Sequence, residues 1–138
     1  MILLFLSLLT LGNSVMAFTL HVELENIRNE EGSIRYLLFD KEEGYPDKKE
    51  LAVKEGSLEV KKASEGIVIE NLPEGVYSLS IIHDENNNNQ LDTNFLGIPK
   101  EGFGFSNNPT ILFGAPSFSK CKFDLKSNSK ITIKMKYF

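Results

Sequence analysis

The sequence predicts an all-β fold: a single antiparallel β-sandwich of seven to eight strands, immunoglobulin-like or prealbumin-like. Three observations lead there. Apolar and polar residues alternate with a period of two through most of the chain, as half-buried strands require. Clusters of Gly, Pro, Asn and Asp punctuate the alternating runs. No stretch sustains the 3.6-residue period of an amphipathic helix, and short strands separated by turns build a sandwich. With 138 residues, 41% hydrophobic and 25% charged, the composition is that of one small globular domain.

Residues 1–17 read as a signal peptide. Met1 to Thr10 is apolar but shorter than the roughly 20 residues of a transmembrane helix. Val15-Met16-Ala17 places a small residue at −3 and Ala at −1 of a cleavage site, so cleavage is expected after Ala17 and the protein is expected to be periplasmic or secreted. The n-region has no Lys or Arg, which leaves its positive charge to the α-amino group. The β-sandwich domain then occupies residues 18–138.

The strands follow in order. Phe18, Leu20, Val22 and Leu24 alternate with Thr19, His21 and Glu23, and Asn26 to Gly32 supplies a turn. Ser33 to Phe39 is apolar on both faces near its end, so it is expected to be a central strand. Asp40 to Gly56 is charged and reads as a loop with a helical turn near Lys49 to Lys54. Leu58 and Val60 start a short strand, and Ile67 and Ile69 mark the next. Leu72-Pro73-Glu74-Gly75 is a turn that feeds Tyr77, Leu79 and Ile81 and ends at His83-Asp84. Two strands close the chain, Lys120 to Leu125 and Lys130 to Tyr137. The one cysteine, Cys121, forbids an intrachain disulfide, and its alternation with Phe123 and Leu125 puts it on the buried face of a strand.

Formal charge is −4 and the pI about 5.2, so phosphate-rich nucleic acid is a poor partner. Catalytic signatures are missing too. There is no nucleophile elbow, phosphate loop or zinc spacing, and adjacent strand residues such as His83 and Asp84 point to opposite faces, which spoils a dyad. The sequence therefore points away from an enzyme. The competing catalytic reading is an envelope hydrolase using Asp84 and Glu101. Lysines 120, 122, 126, 130, 134 and 136 read as a solvated outer face that protects strand edges.

One loop carries cation chemistry. Residues 84–92 place Asp84, Asn86, Asn88 and Asp92 at positions 1, 3, 5 and 9, with the backbone carbonyl of Gln90 at position 7. Alternate oxygen ligands of a tight loop converge, and calcium takes six to eight of them. Asn89 stands where glycine usually makes the turn, and Asn tolerates the left-handed conformation best after Gly. Position 12 is Phe95 rather than Glu, so the loop is not an EF-hand, and two carboxylates imply affinity in the roughly 0.1–1 mM class. Glu85 or Glu101 is available to complete the shell. Without an ion, the loop is an Asn-rich connection held by Asx-turns.

From Gly75 to Phe118, the motifs His83-Asp84-Glu85-Asn86, Leu91-Asp92-Thr93-Asn94-Phe95, Gly97-Ile98-Pro99-Lys100-Glu101-Gly102, Gly104-Phe105-Ser106-Asn107-Asn108 and Phe113-Gly114-Ala115-Pro116-Ser117-Phe118 resemble a family of exported bacterial proteins catalogued only as a domain of unknown function. The resemblance implies an exported bacterial β-sandwich with no established activity. That family generally has Gly inside the Asp-x-Asn-x-Asn loop, where this chain has Asn87 and Asn89. The loop is also similar to calcium loops of bacterial surface-adhesin sandwiches.

The stretch from Gly97 to Ser119 shows no clear strand. Its Phe103, Phe105 and Phe113, with Asn107 and Asn108, could present a ligand surface to a protein, peptide or glycan at the envelope; the alternative is that the rings tuck beneath the loop and pin it to the sandwich.

Overall fold

The computed structural model describes residues 16–138. All but the last two residues of the expected signal peptide lie outside the described residues. Eight strands form two facing sheets, so the protein is all-β. The first sheet has the order β4-β1-β8, from β1 (Ala17–Glu25), β4 (Ile67–Pro73) and β8 (Ser129–Lys134). The second has the order β3-β2-β5-β6, from β3 (Lys54–Glu59), β2 (Ser33–Phe39), β5 (Gly75–Asp84) and β6 (Gly102–Phe105). The short β7 (Phe123–Leu125) pairs with the start of β5.

Alternation decides what the sheets bury. Leu20 and Val22 of β1, Ile67 and Ile69 of β4 and Ile133 of β8 meet Ile34 and Leu38 of β2 and Leu79 and Ile81 of β5, all almost fully buried. Because side chains alternate across a strand, Ser78, Ser80 and Ile82 of β5 face the opposite way, toward the loops. Phe103 pairs with Ile82 and Phe105 with Ser80, so both rings share that outer face. A second cluster forms there from Phe103, Phe105 and Cys121, with Tyr45 and Ile111 against it.

Four sequence expectations need correction. The sandwich is not wholly antiparallel, since β1 runs parallel to β8, from Leu20 opposite Ser129 to Glu25 opposite Lys134. Val60 does not extend a strand; it begins α1 (Val60–Ser64), whose Val60 and Ala63 are three residues apart and both buried. The segment Gly97–Ser119 contains β6, four consecutive buried residues. Lys120 and Cys121 belong to α2 (Phe118–Cys121), capped by Ser117, whose hydroxyl accepts from the Lys120 N–H. Only residues 123–125 of the expected 120–125 strand are extended, and Cys121 is buried beneath the outer-face loops instead.

Glycines let the two sheets meet at one end. A Cβ on Gly104 would lie 2.6 Å from Ile133 Cγ2, and one on Gly102 would enter the Tyr137 ring. Their absence brings β6 against the end of the chain, where Phe103 and Lys136 exchange backbone hydrogen bonds of 3.0 and 2.8 Å. Every non-glycine residue with positive φ among the described ones is an asparagine: Asn26, Asn71, Asn87, Asn89, Asn107 and Asn108. Asn71 sits at the bulge between β1 and β4. No helix among the described residues is long and apolar enough to cross a membrane.

Candidate functional site

The strand β5 ends at Asp84, and the polypeptide curls around that carboxylate. Asp84 is fully buried; its Oδ1 accepts from Asn88 N–H at 3.2 Å and its Oδ2 from Asn89 N–H at 2.8 Å. Two left-handed residues, Asn87 at φ 54° and Asn89 at φ 65°, make the tight curl, so asparagine does here what glycine does in other loops. Asn86 Oδ1 accepts from Asn88 N–H and Asn88 Oδ1 from Gln90 N–H, which are two successive Asx-turns. The Asn86 and Asn88 side chains then both donate through Nδ2 to Asp92, at 2.6 and 2.7 Å. Thus the structure brings the side chains of Asn86, Asn88 and Asp92 together, and Asp84 binds the backbone of the same loop. Gln90 lies exposed, its N–H spent on Asn88.

Hydrogen bonds from Asn88 and then Asn86 hold the Asp92 carboxyl below the usual aspartate range. The loop therefore keeps an ionised carboxylate surrounded by polar side chains. Among the described residues no three His, Cys, Asp or Glu side chains gather as metal ligands; the donor set here is two carboxylates and amide oxygens, which is hard-cation chemistry.

A second carboxylate closes the loop at its base. Glu101, 3% exposed, accepts from Glu85 N–H at 2.6 Å through Oε2 and from Asp92 N–H at 2.9 Å through Oε1. One side chain thereby clamps residues 85 and 92 side by side. Asp84 and Glu101 each accept two backbone N–H groups, one on each oxygen.

Beside this clamp lies a group of residues that no local pattern reveals. Arg28 binds Glu85 in a fork, Nε to Oε1 at 2.6 Å and Nη2 to Oε2 at 2.8 Å, and the same Nη2 reaches the Lys100 carbonyl at 2.9 Å. That fork, more than any other contact, holds the Glu85 carboxyl below its ordinary range. The Arg28 guanidinium also lies 4.6 Å from the centre of the Tyr137 ring. His83 is fully buried, with Nε2 2.7 Å from the Glu31 carbonyl and Nδ1 2.8 Å from Tyr137 Oη. A carbonyl only accepts, so Nε2 donates and, in the neutral ring, Nδ1 accepts from the tyrosine hydroxyl. The residue is a buried hydrogen-bonding post at the end of β5. The only available signal for Arg28 was an arginine inside an Asn/Glu-rich turn.

The aromatic segment divides. Phe103 and Phe105 are 5% and 9% exposed, their rings 5.8 Å apart, while Phe113 is 97% exposed. All three nevertheless line one open cleft of about 930 Å³ on the outer face of the second sheet. Asn107 and Asn108 do not offer free amides to a ligand, contrary to expectation. Asn107 Nδ2 donates to the Lys122 carbonyl, and Asn108 both donates to the Thr132 carbonyl and accepts from Lys134 N–H, standing in for a strand residue beside β8. Their left-handed backbones make that inward reach possible.

A family model described as "Uncharacterized protein conserved in bacteria (DUF2141)" matches residues 22–134, a span that includes all of these side chains except Tyr137. No curated protein and no solved structure matches the chain.

Proposed function

We propose that this chain, which belongs to that family of uncharacterised bacterial proteins, is an exported, non-catalytic binding or scaffold module of the cell envelope whose 84–92 loop is ordered by a calcium ion. One observation carries the reading: Asn86, Asn88 and Asp92 already converge, with both amides within 2.7 Å of the Asp92 carboxylate, while Asp84 holds the backbone of residues 88 and 89 at the base of the same loop. Turning each amide about its last bond replaces nitrogen with oxygen and creates a group of hard oxygen acceptors suited to a calcium ion. The Gln90 carbonyl and Glu85 or Glu101 are further candidate donors.

The turn is not free. Asn86 and Asn88 must surrender the Asx-turn bonds that their oxygens now accept from Asn88 and Gln90 N–H. That competition, with only two inward carboxylates, favours an affinity of roughly 0.1–1 mM, suited to an extracellular module. A non-catalytic role is supported by the carboxylates a hydrolase would need: Asp84 and Glu101 each bind two backbone N–H groups and are buried. The signal-peptide pattern of residues 1–17 supports export.

The test is a thermal melt of residues 18–138 in EDTA and then in a calcium series to about 10 mM, with magnesium as control. Calcium at about 100 times its dissociation constant stabilises by roughly 2.7 kcal/mol, a rise of several degrees. The rise is expected to be calcium-specific and lost in Asp92→Ala. A flat series to 10 mM leaves a loop held by asparagine turns alone and ends the calcium reading.

A further inference from the structure

We propose that the cleft on the outer face of the second sheet is a lipid-binding site that takes the acyl chain of one lipid molecule and leaves its headgroup in solvent. The floor comes first. Ile82, Phe103 and Phe105 project from β5 and β6 on the face away from the sandwich core, and their registered pairing makes a continuous apolar surface. Ser80 lies on the same floor, but its hydroxyl already donates to the Pro46 carbonyl at 2.7 Å. The floor therefore presents no free hydroxyl proton to a ligand.

Loops supply the walls. They are the stretches Asn89 to Pro99 and Ile111 to Ala115, together with Pro46 and Phe138. Asp47 is the only lining residue with a charged side chain. A site of about 930 Å³ lies within the usual range for small-molecule pockets, and its polar side chains other than Ser80, namely Asp47, Asn89, Gln90 and Thr93, are all exposed, whereas Phe103 and Phe105 of the floor are buried. An occupant with a hydrocarbon part against the floor and a polar part among those exposed groups matches this lining.

The rim points the same way. Of the ten exposed large hydrophobic residues among the described ones, five line the cleft: Leu96, Ile98, Leu112, Phe113 and Phe138. Scattered exposed apolar residues need no explanation, whereas a group gathered around one concavity marks a binding surface. The wall from Asn89 is held by the Asp84 and Glu101 clamps, so the site does not depend on a bound ion.

Alkyl maltosides of eight, ten and twelve carbons, used below their micelle concentrations, are the probe, titrated calorimetrically against residues 18–138 in EDTA. Burial of one methylene strengthens binding about fourfold, so affinity is expected to rise roughly 15-fold from octyl to decyl maltoside. The rim variants Leu112→Asp and Phe113→Asp, both at exposed positions that tolerate charge, are each expected to weaken decyl maltoside binding at least tenfold without lowering Tm. Affinity independent of chain length overturns the proposal. So does binding that both variants leave unchanged, which places the chain elsewhere, or sedimentation showing that a second copy of this protein covers the rim and no maltoside binds.

Discussion

Glu101 offers the sharpest test of how the loop is held. Its carboxylate is the sole side-chain partner of two backbone N–H groups, Glu85 at 2.6 Å and Asp92 at 2.9 Å, and it is 3% exposed. In Glu101→Gln one oxygen remains, and the amide nitrogen faces the other N–H, donor against donor. One hydrogen bond to a charged group, about 1.5–3 kcal/mol, is lost, and the survivor falls to the neutral class near 1 kcal/mol. The expected loss is about 2–5 kcal/mol for Gln and about 3–6 for Glu101→Ala, which orphans both donors. For a domain of this size that is a fall in Tm of roughly 6–24 °C. Urea unfolding followed by circular dichroism reads the change as a lower midpoint at constant slope. Glu70→Gln, at an exposed position of β4, is the control and should stay within about 0.5 kcal/mol. If Glu101→Gln behaves like that control, water replaces the carboxylate without penalty and the clamp contributes nothing.

Two further predictions rest on different contacts. Gly104→Ala puts a Cβ 2.6 Å from Ile133 Cγ2 and 3.0 Å from Met135 Sδ, so it should cost about 1–3 kcal/mol by overpacking, and an unchanged urea midpoint would show that β6 and β8 are not tightly apposed. The pH dependence follows from Glu85, whose carboxyl is held below its ordinary value chiefly by the hydrogen bonds from Arg28. A carboxyl depressed in the folded state contributes stability that is present above the unfolded value near 4.3 and is lost as pH falls through the folded value. Arg28→Ala should therefore remove about 0.5–1 kcal/mol above pH 5 and progressively less toward pH 3, solvent screening having reduced the pair's worth. Parallel stability curves for parent and variant from pH 6 to pH 3 would refute it.

The cleft and the loop share residues. Asn89, Gln90 and Leu91 follow the curl around Asp84 and form one wall of the cleft. If both proposals hold, any effect of calcium on acyl-chain affinity is matched by an equal effect of the acyl chain on calcium affinity.

Period-two alternation by itself determines β1, β2, β5 and the core residues Leu20, Val22, Ile34, Leu79 and Ile81, because alternation is local and a buried face has to be apolar all along it. The spacing of Asn86, Asn88 and Asp92 likewise determines their convergence, and asparagine's tolerance of positive φ determines the turns at 87 and 89. Other features were decided in three dimensions. The parallel pairing of β1 with β8 joins residues more than a hundred positions apart, and no local pattern encodes direction across such a gap. β6 is hidden in Gly-Phe-Gly-Phe because its glycines answer to Tyr137, Ile133 and Met135 on another strand. Phe103 and Phe105 alternate as core residues would, yet they serve a second apolar layer on the outer face, since loops cover that side of the sheet. Asn107 and Asn108 read as free amides until β8 and residues 120–122 come within reach. Arg28 meets Glu85 across 57 residues for the same reason: a hydrogen bond needs proximity and direction, and only packing supplies both.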